Sequence, residues 1–566
     1  MKKISFLMVS LIVAPFAQSA SQAEIDAAAR AQSIITGQEQ QRIQMQKQQL
    51  EAPVVPSGMD LGNLLTPISG LPTANQKCIE LERLNVIGSE LLDAWEVEVL
   101  EAPFLGKCIT SDLAAAVLAS TTDFHLKRGF ITTRAYLPNQ DLRDGVIDVY
   151  IGQGKVDKAE VLSEKTMFLG TAYQIDEDLG LNIRDLEQAV DQLNAVPGNS
   201  VTMAIAPGLQ PQSSNIIFEN KGAPAIKGRI SLDNSGGEST GKNGATLSVQ
   251  TGNLLGLNDV WYLNARESLG DPEKSSNSSN LDVRVPHGYN TYGAGYAKGG
   301  FSTILTFPLT GTELTNEGAN ESFYVSASRV IARDQNSKHT VNLKLKRDSV
   351  ESYLADIRID VGSRTLTSLI FSTESALRFD KGILIFTPQI SIGLTEVNNL
   401  PVGVNTPVEN PQSEYLVYKT NIDWLHPIQF NNHSLRWKSK LAAQYSDVPL
   451  YGSQQIIVGG AGSVRGSHFV SIVGDSGYYW QNSLNLTKEY DLGGVAADVE
   501  YMVGYDFGHV WSQRPDVYEG SMKAMIAGAT LTTASWNLAM THSIPVAVDV
   551  LDKGDAFTTL SVGYNF

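Results

Sequence analysis

Apolar and polar side chains alternate with a period of two through most of the C-terminal half of the chain. In segment 435–445, Leu435 and Trp437 fall on one face, whereas Arg436 and Lys438 fall on the other. A strict period of two predicts β-strands with one apolar and one polar face. Two further segments alternate in the same way, 341–347 and 416–424.

These strands are predicted to cross a membrane. They run to about ten residues with aromatic side chains near their ends, whereas the strands of a soluble β-sandwich are shorter. No stretch of about 18 apolar residues follows the N-terminal one, so no membrane-spanning helix is expected. Because every backbone N–H and C=O group in hydrocarbon needs a partner, strands can cross only as a closed barrel. Roughly 340 residues at about 21 per strand and loop predict a membrane β-barrel of about sixteen antiparallel strands over 225–566.

The last ten residues are predicted to form the final barrel strand. Leu560, Val562, Tyr564 and Phe566 share one face, and the sequence ends on an aromatic side chain. Bacterial outer-membrane barrels characteristically end on such a strand, which the barrel-assembly machinery reads. We interpret these four residues as a C-terminal membrane-insertion signal, although any edge strand can end in phenylalanine.

Ahead of the barrel, helical and strand patterns alternate. Thr110 can cap a helix over 110–120, and Asn182 can cap a helix over 183–193. Two strand-like segments follow each helix, so the same order of elements occurs twice and indicates an internal repeat. The predicted strands are 130–137, 146–154, 200–207 and 214–220. The two small α/β domains that we expect cover residues 75–153 and 154–224.

Three zones precede these domains. Residues 1–20 carry Lys2 and Lys3, then an apolar run and small residues, which is the layout of a secretory signal peptide. Residues 21–50 are rich in helix-favouring Ala, Gln and Glu, but too poor in apolar side chains to face a core. We expect a polar helix in a wet environment there, and a disordered Gln-rich tail is the alternative. Proline and glycine make 51–74 a linker.

Composition limits the partners and the compartment. The 60 acidic and 43 basic residues give a net charge of −17, which argues against a nucleic-acid partner. The chain has two cysteines, Cys78 and Cys108. In an exported protein such a pair usually forms a disulfide, with two free thiols as the alternative. Closing a loop of about 30 residues would stabilise this region by roughly 3 kcal/mol.

Several motifs occur together along nearly the whole mature sequence. Segments 128–154 and 183–198 are similar to paired POTRA domains, and 232–259 is similar to the start of the barrel that follows them. Within the barrel region, VRG at 464–466 and GYDFG at 504–508 match two further signatures. Jointly these segments resemble the outer-membrane transporters of two-partner secretion. That family exports haemolysins, filamentous haemagglutinins and contact-dependent-inhibition toxins.

The resemblance implies a pore in the outer membrane of a Gram-negative bacterium, with both POTRA domains in the periplasm. It implies a large exoprotein as partner, bound unfolded and passed outward without ATP. Toxin, haemolysin and adhesin all fit, with a mild preference for a contact-dependent growth inhibition toxin. The helix at 21–50 would then plug the barrel. We further expect a monomer in the lipid bilayer, inserted by the barrel-assembly machinery.

The arginine of the VRG segment needs a partner, since Arg465 lies among glycines and small residues. Parity along 498–508 puts Asp506 on the lumen face, with Gly504 and Gly508 two residues to either side. The resemblance gives the same pairing, a loop arginine with a strand aspartate. At about 4 Å and an intermediate dielectric, the attraction is on the order of 4 kcal/mol before desolvation.

This pairing predicts a re-entrant loop near 454–475. Glycine tolerates the tight backbone that such a loop needs, and Gly466 follows the arginine directly. We expect Arg465 and Asp506 to latch this loop inside the pore. The alternative is a loop arginine in solvent and a structural aspartate.

Other chemistries find little support. Segment 460–466 lacks the spacing of a phosphate-binding loop, the eight histidines lack paired metal-ligand spacing, and no serine lies in a nucleophile elbow. We expect no enzymatic activity, catalytic residue, metal or cofactor. The main rival is an insertase of the same superfamily, which shares the VRG loop and folds other barrels. A passive porin or receptor leaves the repeat unexplained, and a secreted all-β enzyme lacks its catalytic residues.

Overall fold

The computed structural model describes two α/β domains followed by a closed β-barrel. The predicted signal peptide (1–20), plug helix (21–50) and linker (51–74) lie outside the described residues. The described residues run from 78 to 566 without 89–91, 163–167, 174–179, 223–225, 238, 307–310, 361, 395–410, 412, 432, 467–470, 514–518 and 549–554.

The first α/β domain packs two helices on a three-stranded sheet. Its elements are β1 (Arg83–Ile87), α1 (Ala94–Glu101), α2 (Ser111–Lys127), β2 (Arg134–Tyr136) and β3 (Val146–Gly152). Strand β3 lies in the middle, parallel to β1 and antiparallel to β2. Helix α2 begins after Thr110 because the side chain of that residue accepts a hydrogen bond from the Leu113 N–H. Val117 of α2 and Ile147 and Val149 of β3 belong to the buried core of the domain.

A disulfide joins Cys78 to Cys108 in this domain. The two segments also lie side by side through a β-bridge between Glu80 and Cys108. The Leu81 N–H donates to the Lys107 carbonyl at 2.9 Å, so the disulfide fastens the start of β1 to the segment before α2.

We expect loss of the disulfide to destabilise the first domain selectively. The bond spans 30 positions, and closing a loop of that size stabilises a fold by about 3–4 kcal/mol. Limited proteolysis of the full-length Cys78→Ser/Cys108→Ser variant in detergent should therefore cut within residues 78–154 before it cuts the barrel. Equal cleavage rates in this region for the variant and the oxidised wild type would contradict the prediction.

The second α/β domain repeats the order of elements of the first. It consists of β4 (Lys155–Leu162), α3 (Leu169–Ala172), α4 (Ile183–Ala195), β5 (Val201–Pro207) and β6 (Ser213–Asn220). Strand β6 is central, parallel to β4 and antiparallel to β5. The Asn182 side chain caps α4 by accepting from the Arg184 N–H. Leu186 and Leu193 of α4 are buried together with Phe218 of β6.

Sixteen antiparallel strands then close into a barrel, which confirms the predicted membrane β-barrel architecture. The short β14 pairs only with β13, and β19 and β20 form a separate hairpin. The strands are β7 (Ile226–Asp233), β8 (Asn243–Gly252), β9 (Val260–Leu269), β10 (Ser275–His287), β11 (Asn290–Thr306), β12 (Glu313–Arg333), β13 (Ser337–Leu354), β14 (Ile357–Arg358), β15 (Arg364–Phe379), β16 (Gly382–Gly393), β17 (Leu416–Phe430), β18 (His433–Ser446), β19 (Ile456–Val458), β20 (Ile472–Gly474), β21 (Ser476–Asp491), β22 (Ala496–Trp511), β23 (Gly520–Thr532), β24 (Trp536–Val548) and β25 (Phe557–Asn565).

The barrel closes between β7 and β25, at the end of the chain that carries the predicted insertion signal. The outward-facing side chains of that signal are exposed, with Leu560 at 53%, Val562 at 44%, Tyr564 at 42% and Phe566 at 53%. Phe566 also exchanges two backbone hydrogen bonds with Gly228 of β7, at 2.8 and 2.9 Å. A Cβ at Gly228 would collide with the Phe566 ring, so this glycine makes room for the last aromatic side chain.

Exposed apolar side chains on the outside and polar ones in the lumen follow the predicted parity. Tyr501, Val503 and Tyr505 of β22 are exposed on the outer face, whereas Asp506 of the same strand is fully buried. No helix among the described residues combines the length and apolarity that crossing a bilayer requires.

The second α/β domain is docked on the end of the barrel where β7 begins. Arg333 at the end of β12 pairs with Glu187 and Asp191 of α4 at 3.3 and 2.6 Å, and Lys338 of β13 lies 3.3 Å from Asp191. Burial acts to raise the pKa of Asp191, but Lys338 and Arg333 outweigh it and hold the pKa below its ordinary value. The interface is therefore a network of charges between α4 and the barrel turns.

Candidate functional site

The segment between β18 and β21 folds back into the barrel from the end opposite the α/β domains. We call it the lumen loop, residues 447–475, of which 467–470 are not described. It contains the hairpin of β19 and β20, which pairs with no barrel strand. Gly459 and Gly460 turn the chain after β19 with φ of 122° and 86°, which L side chains rarely adopt. The re-entrant loop predicted near 454–475 falls within this segment.

An apolar patch holds the lumen loop against the inner wall. Val458 and Val464 of the loop are 0% and 1% exposed. They cluster with Val510 of β22 and with Met522 and Ala524 of β23. These wall residues face inward, where the other strands carry mostly polar side chains, so the patch is matched to the loop.

Arg465 of the lumen loop binds Asp506 of β22 through two parallel hydrogen bonds. Nε donates to Oδ2 and Nη2 donates to Oδ1, both at 2.7 Å. The Arg465 backbone N–H donates to Oδ2 at 3.1 Å, and the Asn482 backbone N–H of β21 donates to Oδ1 at 3.3 Å. Asp506 is fully buried, and the Arg465 side chain is 21% exposed. Bidentate, charge-assisted bonds of this kind are the strongest that side chains form.

The three motif glycines let the loop approach the wall this closely. A Cβ at Gly504 would lie 2.6 Å from the Asn482 carbonyl oxygen and 3.2 Å from the Arg465 Nη2 atom. At Gly508 it would lie 2.7 Å from a methyl carbon of Val458. At Gly466 it would collide with the Cβ of Ala524. Larger side chains at these positions would push the loop off β22 and β23.

A second buried carboxylate, Asp475, anchors the root of the loop and was not singled out from the sequence. It is 0% exposed. Its Oδ1 atom accepts from the Leu450 N–H at 2.8 Å and the Gln455 side chain at 2.9 Å. Its Oδ2 atom accepts from the Ser512 hydroxyl at 2.9 Å and the Gln513 N–H at 2.8 Å. Asp475 thus ties both ends of the lumen loop to the connection after β22.

We expect Asp475→Ala to loosen the lumen loop at its root. Four donors would lose their acceptor, which costs about 2–4 kcal/mol after partial rehydration. The temperature at which the folded band disappears in heat-modifiability gels should fall by about 5 °C or more. Asp498→Asn, at an exposed carboxylate of β22, is the matched control and should leave this temperature unchanged. The same melting temperature for Asp475→Ala and the wild type would contradict the role of Asp475.

The chemistry of this site is non-covalent. Among the described residues, no group of three or more His, Cys, Asp or Glu side chains could hold a metal ion. What the residues bring together is an ion pair, an apolar patch and a second carboxylate at the root. Such an arrangement can hold a loop in the lumen and release it without breaking a covalent bond.

Comparisons with known proteins agree with this architecture. Residues 212–534 match the family model of the haemolysin secretion/activation proteins ShlB/FhaC/HecB. Residues 79–154 match a ShlB-type POTRA domain, and 151–207 match a second POTRA domain. The solved structure of CdiB from Escherichia coli covers 95% of this chain and 99% of its own, with a TM-score of 0.83 and 24% identity. CdiB from Acinetobacter baumannii gives a TM-score of 0.79 at 19% identity over 95% and 99% of the two chains.

Curated relatives extend over similar lengths. The outer membrane transporter CdiB of Dickeya dadantii is 26% identical over 99% of this chain and 97% of its own. The hemolysin transporter protein ShlB of Serratia marcescens is 24% identical over 87% and 84%. The predicted outer-membrane location, with POTRA domains in the periplasm, is confirmed, and the family is one of transporters rather than enzymes. The chain belongs to the ShlB/FhaC/HecB family of haemolysin secretion/activation proteins, the outer-membrane transporters of two-partner secretion.

Proposed function

We propose that this transporter captures one large, unfolded exoprotein in the periplasm and passes it through the barrel to the cell surface without ATP. The lumen loop is the gate in this scheme. The observation that carries the proposal is the bidentate pair of Arg465 and Asp506, with nitrogen–oxygen distances of 2.7 Å, in the lumen. A polypeptide needs that space, so the loop must move for each passage.

The contacts of the loop suit a gate that moves and returns. One ion pair and one apolar patch of a few side chains hold its tip. The Asp475 cluster at its root lies at the cell-surface end, outside the path past β22 and β23. In our proposal the tip leaves the wall while the root stays attached, so that the loop can close again after transport.

The POTRA domains would make the first contact with the cargo. Strand β5 of the second domain pairs on one side with β6 and is an edge of its sheet. An extended polypeptide can add to such an edge through main-chain hydrogen bonds. Apolar side chains on the first domain add a sticky surface, with Trp95 61% exposed and Val99, four positions on along α1, 59% exposed.

The helix expected at 21–50 would leave the barrel before the cargo enters. Because the periplasm holds no ATP and the sequence has no nucleotide motif, folding of the cargo outside the cell would supply the direction. The cargo itself is a toxin, haemolysin or adhesin in this proposal. Relatives in both the CdiB and the haemolysin transporter groups leave a contact-dependent growth inhibition toxin as a mild preference.

Deleting the gene tests the proposal against the insertase alternative. We expect one very large protein to disappear from the cell surface or the medium, while the other outer-membrane barrels keep their levels. Mass spectrometry of the outer membrane and of the medium measures both. A general loss of barrels, with no single exoprotein affected, would instead favour an insertase.

Site-specific photo-crosslinking tests the capture step. A photoreactive amino acid in place of the exposed Ala204 on β5 should link to the exoprotein during secretion. The same amino acid in place of the exposed Ala115 on α2 is the control and should link at least tenfold less. Equal yields at both positions would argue against capture along β5.

A further inference from the structure

The periplasmic turn between β8 and β9 presents three leucines that pack on nothing. Leu254 is 63% exposed, Leu255 58% and Leu257 38%. The turn spans residues 253–259, and its single charged side chain, Asp259, is fully buried. An apolar surface without charge at the rim of a barrel calls for an apolar partner.

The turn is built to hold these leucines outward. The Asp259 carboxylate accepts hydrogen bonds from the backbone N–H groups of Leu254 and Leu255, both at 2.9 Å, and of Leu257 at 3.3 Å. It also accepts from the Trp261 indole N–H at 2.5 Å. With its backbone donors bound internally, the turn can sit in an environment without water, since no main-chain N–H of these three leucines needs a solvent partner.

The opposite side of the turn is already occupied by the second POTRA domain. The Asn258 side chain, 1% exposed, donates to the Phe168 carbonyl at 2.6 Å and to the Thr171 hydroxyl at 2.8 Å. The Thr171 hydroxyl in turn donates to the Leu257 carbonyl at 3.2 Å. The POTRA domain therefore grips the turn through polar groups and leaves the leucine side uncovered.

The leucines continue the lipid-facing wall of the barrel. Leu247 of β8 and Leu263 of β9 are exposed on the outer face, at 36% and 41%. Trp261 has the same parity as Leu263 and lies between this wall and the turn, as expected of an aromatic side chain at a membrane interface. The apolar surface thus runs without a break from the strands to the end of the turn.

We infer that the β8–β9 turn inserts Leu254, Leu255 and Leu257 into the periplasmic phospholipid leaflet of the outer membrane. The anchor lies next to the POTRA contact, so it fixes the height of the second POTRA domain relative to the bilayer. The inference concerns the membrane contact alone and is independent of which exoprotein is transported.

A fluorescence-quenching experiment tests this insertion. Both native cysteines are in the disulfide, so a cysteine introduced as Leu255→Cys gives one labelling site for an environment-sensitive dye. The full-length protein is reconstituted in phosphatidylethanolamine/phosphatidylglycerol vesicles with or without brominated acyl chains. Leu263→Cys on the barrel wall is the lipid control, and Asn336→Cys, an exposed residue of the polar turn between β12 and β13, is the water control.

We expect brominated lipid to quench the Leu255 label within about twofold of the Leu263 label, and iodide in the buffer to quench it at least threefold less than the Asn336 label. Labels at Leu254 and Leu257 should repeat this pattern, so a single misfolded variant does not decide the outcome. Quenching like that of Asn336 would place the turn in water and overturn the inference. Protection from both quenchers would place the leucines against protein, such as bound cargo, and would overturn it as well.

Discussion

Reversing the charge of Arg465 should lower secretion of the partner exoprotein at least tenfold and make the outer membrane leaky. Arg465→Asp would put a second carboxylate beside Asp506, which is fully buried and would keep no cation from the loop. Breaking a buried pair in this way costs about 3–5 kcal/mol, enough to displace the tip of the loop. Immunoblots of the medium and sensitivity to a large antibiotic measure the two effects at equal barrel levels.

The double variant separates the pairing from each residue alone. Arg465→Asp with Asp506→Arg restores opposite charges, although not the same bidentate geometry, so secretion should recover partly. Arg436→Asp is the matched control, because Arg436 pairs with Glu500 across neighbouring strands away from the loop and is more exposed. It should secrete within twofold of wild type. Wild-type secretion by both single reversals at Arg465 and Asp506 would show that the pair does not latch the loop.

Locking the loop to the wall should stop secretion altogether. A Cβ built at Gly508 lies 2.7 Å from the Val458 Cγ1 atom, which is where the sulfur of a cysteine at 458 would stand. This spacing is compatible with a disulfide, whose two Cβ atoms are about 3.5–4.5 Å apart. In the oxidising periplasm the Val458→Cys/Gly508→Cys variant should therefore form the bond. We expect exoprotein to accumulate inside the cell and to be released when a mild reductant is added.

A double serine variant provides the control for the lock. Val458→Ser with Gly508→Ser has nearly the same size but cannot form the bond, so it reports any damage from the added side chain at Gly508. It should secrete several-fold more than the oxidised cysteine variant. Undiminished secretion by a variant whose disulfide is shown to have formed would mean that cargo passes with the loop in place.

Patterns that repeat along the chain were enough to predict the barrel and its polarity. Period-two alternation and segment length require only that neighbouring side chains point to opposite faces, which holds whatever the tertiary structure. The same parity put Asp506 on the lumen side, and the family resemblance supplied Arg465 as its partner. The structure brings these two side chains together at 2.7 Å.

Contacts between distant segments could not be predicted in this way. Asp475 collects donors from residues 450 to 513, and no periodic pattern marks them. Arg333 and Glu187 of the POTRA–barrel interface are 146 positions apart. Local conformation also overrode propensity, since the strand predicted over 130–137 covers only Arg134–Tyr136. It follows a turn at Gly129, whose φ is 96°.

Single-channel recording on the Asp506→Asn variant tests the central claim most directly, which is that the Arg465–Asp506 pair keeps the loop in the pore. An asparagine has nearly the same shape as Asp506 but no charge, and it can offer only one acceptor oxygen to the guanidinium. In planar bilayers the variant should be open for a fraction of time at least fivefold larger than the wild type, at the same orientation and voltage. An open fraction equal to that of the wild type would contradict the account.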